Sequence, residues 1–86
     1  MEINYYYGQG RHFDVASYLI SKDHSIYAEC AVPEGASEDY GYLTMKKAVI
    51  AEMEKRGMDT SIIDWPCNDE LLEDDAADGE AFVDIN

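Results

Sequence analysis

Three segments within the first 32 residues alternate apolar and polar side chains, and this alternation constrains the fold more than any other feature. The segments are residues 2–8, 13–20 and 25–32. A period of two is typical of strands that bury one face. Because only the polar residues 21–24 separate the second and third segments, these two predict a β-hairpin.

The same alternation predicts which side chains face the core. In the hairpin they are Phe13, Val15, Ser17, Leu19, Ile26, Ala28, Cys30 and Val32. In the first segment, Tyr5 and Tyr7 are expected to face the core, and Tyr6 the opposite side, where it is available to a partner. Residues 12–20 also fit a helical spacing, so strand and helix both stay open for them.

Residues 38–56 carry the strongest helical pattern in the chain. Ser37 is a favourable N-cap residue and Gly57 a favourable C′ residue, so a helix from 38 to 56 is predicted. Val49 and Met53 are expected to be buried against the sheet. The apolar residues that recur at the spacing of one helical face are Tyr42, Met45, Val49 and Met53.

The rest of the chain predicts short elements. Residues 61–65 indicate a strand or an extended packing segment, residues 69–77 a short acidic helix, and residues 81–85 an edge strand. The order of elements begins β-β-β-α. It predicts one α+β domain over residues 1–86, in which a small antiparallel sheet packs on one main helix.

The formal net charge of −13 is concentrated towards the C-terminal end. Residues 1–58 contain all six bases and carry −3, whereas residues 59–86 contain ten acids and no base and carry −10. The acidic segment 68–86 alone holds eight carboxylates. Because this field repels nucleic acid and anionic membranes, the expected partner is a basic protein.

Location and thiol state follow from what the sequence lacks. No basic region followed by an apolar stretch opens the chain, and no window approaches the roughly 18 apolar residues of a membrane span. A cytoplasmic protein is expected, with Cys30 and Cys67 as reduced thiols and Cys30 in the core. Monomer and homodimer both stay open.

The acidic run has a charge density close to that of DNA. If residues 69–77 are helical, five carboxylates over seven residues give about one charge per 2 Å of axis, against about one per 1.7 Å in duplex DNA. Leu71 and Leu72 favour docking over a purely solubilising tail, which is the competing interpretation. Tyr6 and Trp65 are candidate anchor contacts. The candidate charged contacts are Asp69, Glu70, Glu73, Asp74, Asp75 and Asp78.

No chemical motif is complete in this sequence. Residues 8–12 lack the Lys-Ser/Thr of a phosphate-binding loop. The two histidines and two cysteines contain no pair at zinc-ligand spacing. The run that starts at Asp74 has Ile85 where a calcium loop needs its bidentate Glu. The expectation is therefore a protein that is not an enzyme and has no metal or cofactor.

In size, charge and combined acidic and aromatic content, the whole chain resembles the small inhibitors that phages and mobile elements use against host defence. Anti-restriction and anti-CRISPR proteins are examples, and some of them mimic DNA. The resemblance implies an inhibitor that blocks the nucleic-acid-binding surface of a defence nuclease or CRISPR effector in the host cytoplasm. It matches no motif, so it assigns no residues. One alternative is an acidic regulator, such as an antitoxin or an adaptor of a replication or transcription protein. Another is a small enzyme or metal module that uses His12, His24 or the cysteines.

Overall fold

The computed structural model describes residues 1–36, 40–66 and 81–86. An antiparallel four-stranded sheet and one α-helix make up the described fold, which confirms the predicted α+β class. In chain order the elements are β1 (Ile3–Gly8), β2 (Ala16–Ser21), β3 (Ile26–Ala31), α1 (Tyr42–Lys55), a 3-10 turn (Thr60–Ile62) and β4 (Phe82–Ile85).

Among the described residues the strands lie in the order β1-β2-β3-β4, so β2 and β3 are inner strands and β1 and β4 form the edges. Side chains that pair across the sheet share one face. We call the side that packs on α1 the helix face; one of its cross-strand rows is Tyr5, Leu19, Ala28 and Val83. We call the other side the far face; one of its rows is Tyr6, Tyr18, Glu29 and Phe82.

Helix α1 packs mainly across β2, β3 and β4, and its inward side chains form the centre of the core. Met45, Val49 and Met53 are fully buried, as the helical spacing predicts. They meet the apolar side chains of the helix face, which include Leu19 and Ile26. Burial of this kind contributes about 1.5–3 kcal/mol for each large side chain.

The helix starts later than predicted. A helix from residue 38 with Ser37 as its cap is wrong, because Tyr40 lies in a turn and the helix begins at Tyr42. Gly41, with φ of 82°, has a left-handed backbone that an α-helix cannot contain. Residues 37–39 themselves lie outside the described part of the chain.

The end of α1 agrees with the predicted glycine stop. Gly57 has φ of 72°, and its N–H donates to the carbonyl of Glu54 at 3.0 Å. The N–H of Met58 donates to the carbonyl of Met53 at 2.8 Å. These two hydrogen bonds form a Schellman motif, which satisfies carbonyls that the helix would otherwise leave unpaired.

The predicted hairpin is formed by β2 and β3, and segment 13–20 is a strand only from Ala16 onwards. Cys30 is 2% exposed on the helix face, in agreement with its predicted burial. Phe13 and Val15 are 37% and 48% exposed, so their assignment to the core is wrong. They belong to the connection between β1 and β2, which crosses the far face before β2 begins.

The segment after the helix is only partly extended. Its first residues form the 3-10 turn, Ile63 is buried in the core, and Asp64 makes a single parallel bridge to Glu2. Residues 82–85 of the predicted edge strand form β4, paired with β3. The predicted helix at 69–77 lies outside the described residues.

Replacing Met53 by Asp should lower the free energy of unfolding by about 3 kcal/mol or more, because the carboxylate enters an apolar site without a partner. The control is Ala51→Asp on the exposed side of the same helix, which should change stability by less than about 1 kcal/mol. Urea unfolding of both variants measures the difference. Equal midpoints would contradict the orientation of α1.

Asp23 organises the turn between β2 and β3. Hydrogen bonds from the hydroxyl of Ser25 first, then from that of Ser21, lower its pKa from 3.8 to about 2. The stabilisation from the ionised group is therefore complete above pH 3.8 and is lost as the pH falls towards 2. A carboxyl NMR titration should show the pKa of Asp23 rising towards 3.8 in Ser25→Ala.

The matched control for this titration is Ser61→Ala. The hydroxyl of Ser61 makes the same type of bond to Asp59, at 2.7 Å, and lowers the pKa of that group instead. This variant should raise the pKa of Asp59 and leave that of Asp23 at about 2. An equal rise in the pKa of Asp23 in both variants would show that the hydroxyl of Ser25 is not what lowers this pKa.

Candidate interaction surface

The far face of the sheet carries a ladder of three tyrosines on three successive strands. The ring centroids of Tyr6 and Tyr18 are 5.3 Å apart, with the planes 29° from parallel. Those of Tyr18 and Tyr27 are 5.8 Å apart and 35° from parallel. Tyr27 is 3% exposed and Tyr6 is 46% exposed, so the ladder runs from the centre of the sheet to solvent at β1.

Arg11 occupies the inner end of this tyrosine ladder. Its guanidinium carbon lies 4.0 Å from the ring centroid of Tyr27, within the range of a cation–π contact. Its backbone N–H donates to the hydroxyl of Tyr27 at 3.1 Å, and its side chain pairs with Asp84 at 3.9 Å. Burial raises the pKa of Tyr27, although the bond from Arg11 opposes this shift, so the phenol stays neutral at pH 7.

Glu29 is a fully buried carboxylate of β3 beneath the connection 9–15. Its Oε1 accepts a hydrogen bond from the backbone N–H of His12 at 2.9 Å and lies 2.5 Å from Nδ1 of the same residue. The His12 ring lies 3.8 Å from that of Phe82, between centroids. The connection is therefore held down on β3 and β4 by one acidic side chain and one ring contact.

The second oxygen of Glu29 is confined by the same connection. Oε2 is buried and has no hydrogen-bond partner in the described part of the chain. A Cβ atom on Gly10 would lie 2.0 Å from this oxygen and 3.0 Å from the Cβ of Ala16. Only glycine therefore lets the backbone approach the buried carboxylate this closely at residue 10.

Among the described residues, the connection covers the β3 and β4 half of the far face, whereas the β1 and β2 half is more exposed. Asn4, Tyr18 and Ile20 are half-buried there, beside the more exposed Tyr6. Next to this half, a surface cavity of about 460 Å³ lies at the edge of β1. Its lining among the described residues is Tyr5, Tyr6, Tyr7 and Ala36.

Tyr7 is 54% exposed, so its predicted place in the core is wrong. It lies near the end of edge strand β1, beyond the strands on which α1 mainly packs. Tyr5 does contact the core, where its ring meets that of Tyr42 edge-on at 5.4 Å. Its hydroxyl donates to the carbonyl of Tyr40 at 3.1 Å, which links β1 to the segment before the helix.

The two aromatic anchor candidates lie on different sides of the sheet. Tyr6 is on the far face, whereas Trp65 is half-buried against the core on the helix side. The Nζ atom of Lys46 on α1 lies 5.1 Å from the Trp65 ring centroid. The charged candidates Asp69, Glu70, Glu73, Asp74, Asp75 and Asp78 lie outside the described residues.

The alternation pattern does not predict the cluster of Glu29, His12 and Arg11. In an alternating strand, a glutamate between apolar residues indicates a solvent-facing side, and nothing local shows that a connection will cover it. The nearby signal was the glycine-rich turn before His12, with Gly10 two residues away. Together with Glu29, an acid between apolar residues in the following hairpin, this glycine would have indicated that the backbone passes close to the acid.

Cys67 lies outside the described residues, and within them Cys30, His12 and His24 do not form one site. Burial, followed by the charge of Glu29, raises the pKa of Cys30 to about 11, so its thiol is protonated at pH 7. Among residues 1–36, 40–66 and 81–86, no three His, Cys, Asp or Glu side chains are grouped to hold a metal ion. The same residues include no helix long and apolar enough to cross a membrane.

Replacing Gly10 by Ala should lower the free energy of unfolding by about 1–3 kcal/mol, because its Cβ forces the Glu29 side chain or the connection to move. Gly8→Ala is the matched control. It meets no atom within 4 Å and should stay within about 1 kcal/mol of wild type. Thermal melts give the stabilities, and amide hydrogen exchange over residues 9–15 locates the change. Equal stability of the two variants would contradict the close approach of Gly10 to Glu29.

The comparisons with known proteins found no match. No family model, curated protein or solved structure matches this chain.

Proposed function

We propose that this protein is a non-enzymatic inhibitor whose acidic run, residues 69–78 of the acidic segment, occupies the nucleic-acid-binding surface of a basic protein. The segment's carboxylates take the place of phosphates, and the exposed aromatic side chains add contacts that exclude water. A defence nuclease or a CRISPR effector in the host cytoplasm is the partner that the resemblance of the whole chain suggests.

The observation that carries this proposal is the attachment of the fold on both sides of the acidic run. Before the run, Ile63 is buried in the core. After it, β4 pairs with β3, from Ile26 opposite Ile85 to Glu29 opposite Phe82. A free solubilising tail has no strand beyond it. The proposed charged contacts are therefore tethered to the domain at two places.

The charge balance of the described residues supports the same proposal. Two of the bases have acidic partners within the fold: Arg11 pairs with Asp84 at 3.9 Å, and Arg56 with Glu52 at 3.0 Å. Residues 67–80 contain seven acids and no base. The excess negative charge is thus concentrated in one part of the sequence, where it steers a basic partner and repels nucleic acid.

The charge test removes four carboxylates without changing side-chain size. A variant with Glu70→Gln, Glu73→Gln, Asp74→Asn and Asp78→Asn should bind a DNA-binding defence nuclease or CRISPR effector at least about tenfold more slowly at low salt. It should also lose much of the salt dependence of binding. Surface plasmon resonance over a salt series measures both quantities, and duplex DNA should compete with the wild-type protein.

The control removes the same number of charges elsewhere, through Glu2→Gln, Asp14→Asn, Glu34→Gln and Glu54→Gln, all at exposed positions. This control should retain most of the association rate. Similar rates for both variants would mean that total charge alone matters. If the first variant binds the partner as tightly as the wild type does at low salt, the acidic run serves only solubility.

A further inference from the structure

We infer that the open end of the tyrosine ladder, the outer face of the Tyr6 ring, binds an arginine side chain of the partner. The inference rests on the proposed function, because it names a chemical contact between the same two proteins. It concerns a surface of the described fold that contains none of the residues of the acidic run.

The ladder already binds one guanidinium at its other end. Arg11 lies 4.0 Å from the ring centroid of Tyr27, and Tyr18 stacks between Tyr27 and Tyr6. Tyr27 is 3% exposed, so its ring has no room for a second cation. Tyr6 is stacked on Tyr18 from one side and is 46% exposed, which leaves ring surface for a cation from outside.

The surroundings of Tyr6 suit a planar cation. Asn4 precedes Tyr6 on the same side of β1, because side chains alternate along a strand. The backbone N–H of Lys22 donates to the carbonyl of Glu2 just before β1 begins, away from Tyr6, and the side chain of Arg11 pairs with Asp84.

Arginine fits this surface better than lysine. A guanidinium is planar and weakly hydrated, so it stacks on an aromatic ring while its edge still donates hydrogen bonds. A lysine ammonium is a strongly hydrated point charge that loses more solvation on contact. An exposed cation–π contact corresponds to an affinity gain of about two- to fivefold. The structure therefore predicts that the protein binds an arginine peptide more tightly than a lysine peptide of equal charge.

The test uses two fluorescent peptides of equal length, one alternating arginine and glycine, the other lysine and glycine. Anisotropy titrations at low salt give their affinities for the wild type, Tyr6→Leu, Tyr6→Phe and Tyr7→Leu. The wild type should bind the arginine peptide more tightly, by up to about fivefold, which corresponds to the whole of an exposed cation–π contact. Tyr6→Phe and Tyr7→Leu should keep this preference, and Tyr6→Leu should lose it. Tyr7 is the matched control because it is 54% exposed on the same strand but outside the ladder.

The outcomes separate this inference from the proposed function. The variant lacking four carboxylates should bind both peptides more weakly and keep the arginine preference. If this variant binds both peptides as tightly as the wild type does, the proposed role of the acidic run is contradicted and the proposed role of Tyr6 is unaffected. An unchanged preference in Tyr6→Leu would overturn the role of Tyr6 alone. Self-association that requires Tyr6, or binding of single-stranded DNA that requires it, would also overturn this role, because the Tyr6 ring would then contact a different ligand.

Discussion

The burial of the Glu29 carboxylate is the constraint on which the arrangement of the far face depends. A carboxylate removed from water is costly unless hydrogen bonds replace its hydration. Here one residue, His12, supplies both contacts to Oε1. The connection 9–15 must therefore stay on the sheet, and its position brings Arg11 onto Tyr27 and the His12 ring onto Phe82.

This arrangement makes β3 a strand with two covered faces of different chemistry. On the helix face, Ala28 and Cys30 meet apolar side chains of the core. On the far face, Tyr27 and Glu29 are covered by polar and aromatic groups from one short connection. The helix face supplies stability in the usual way, through apolar burial. The far face carries the tyrosine ladder, whose exposed end lies on β1.

Periodicity predicted the parts of the fold that local pattern determines. The burial of Met53 and Cys30 follows from helical and strand spacing, and the stop at Gly57 follows from its conformational freedom. The start of α1 was missed because glycine is compatible with both a helical and a left-handed backbone, and Gly41 adopts the second, with φ of 82°. The burial of Glu29 was missed because the connection that covers it belongs to a different part of the sequence from β3. The role of the acidic segment remains a prediction.

The pairing of β4 with β3 has a consequence for the order of folding. The β1–β2 and β2–β3 pairs join neighbours in sequence, whereas β4 pairs Ile85 with Ile26 across most of the chain. Closing so long a loop costs more entropy than forming a hairpin, so the first three strands assemble early and β4 docks late. The same strand carries Phe82, which contacts His12, and Asp84, which pairs with Arg11. Full closure of the connection over Glu29 is therefore a late event in folding and an early one to be lost in unfolding.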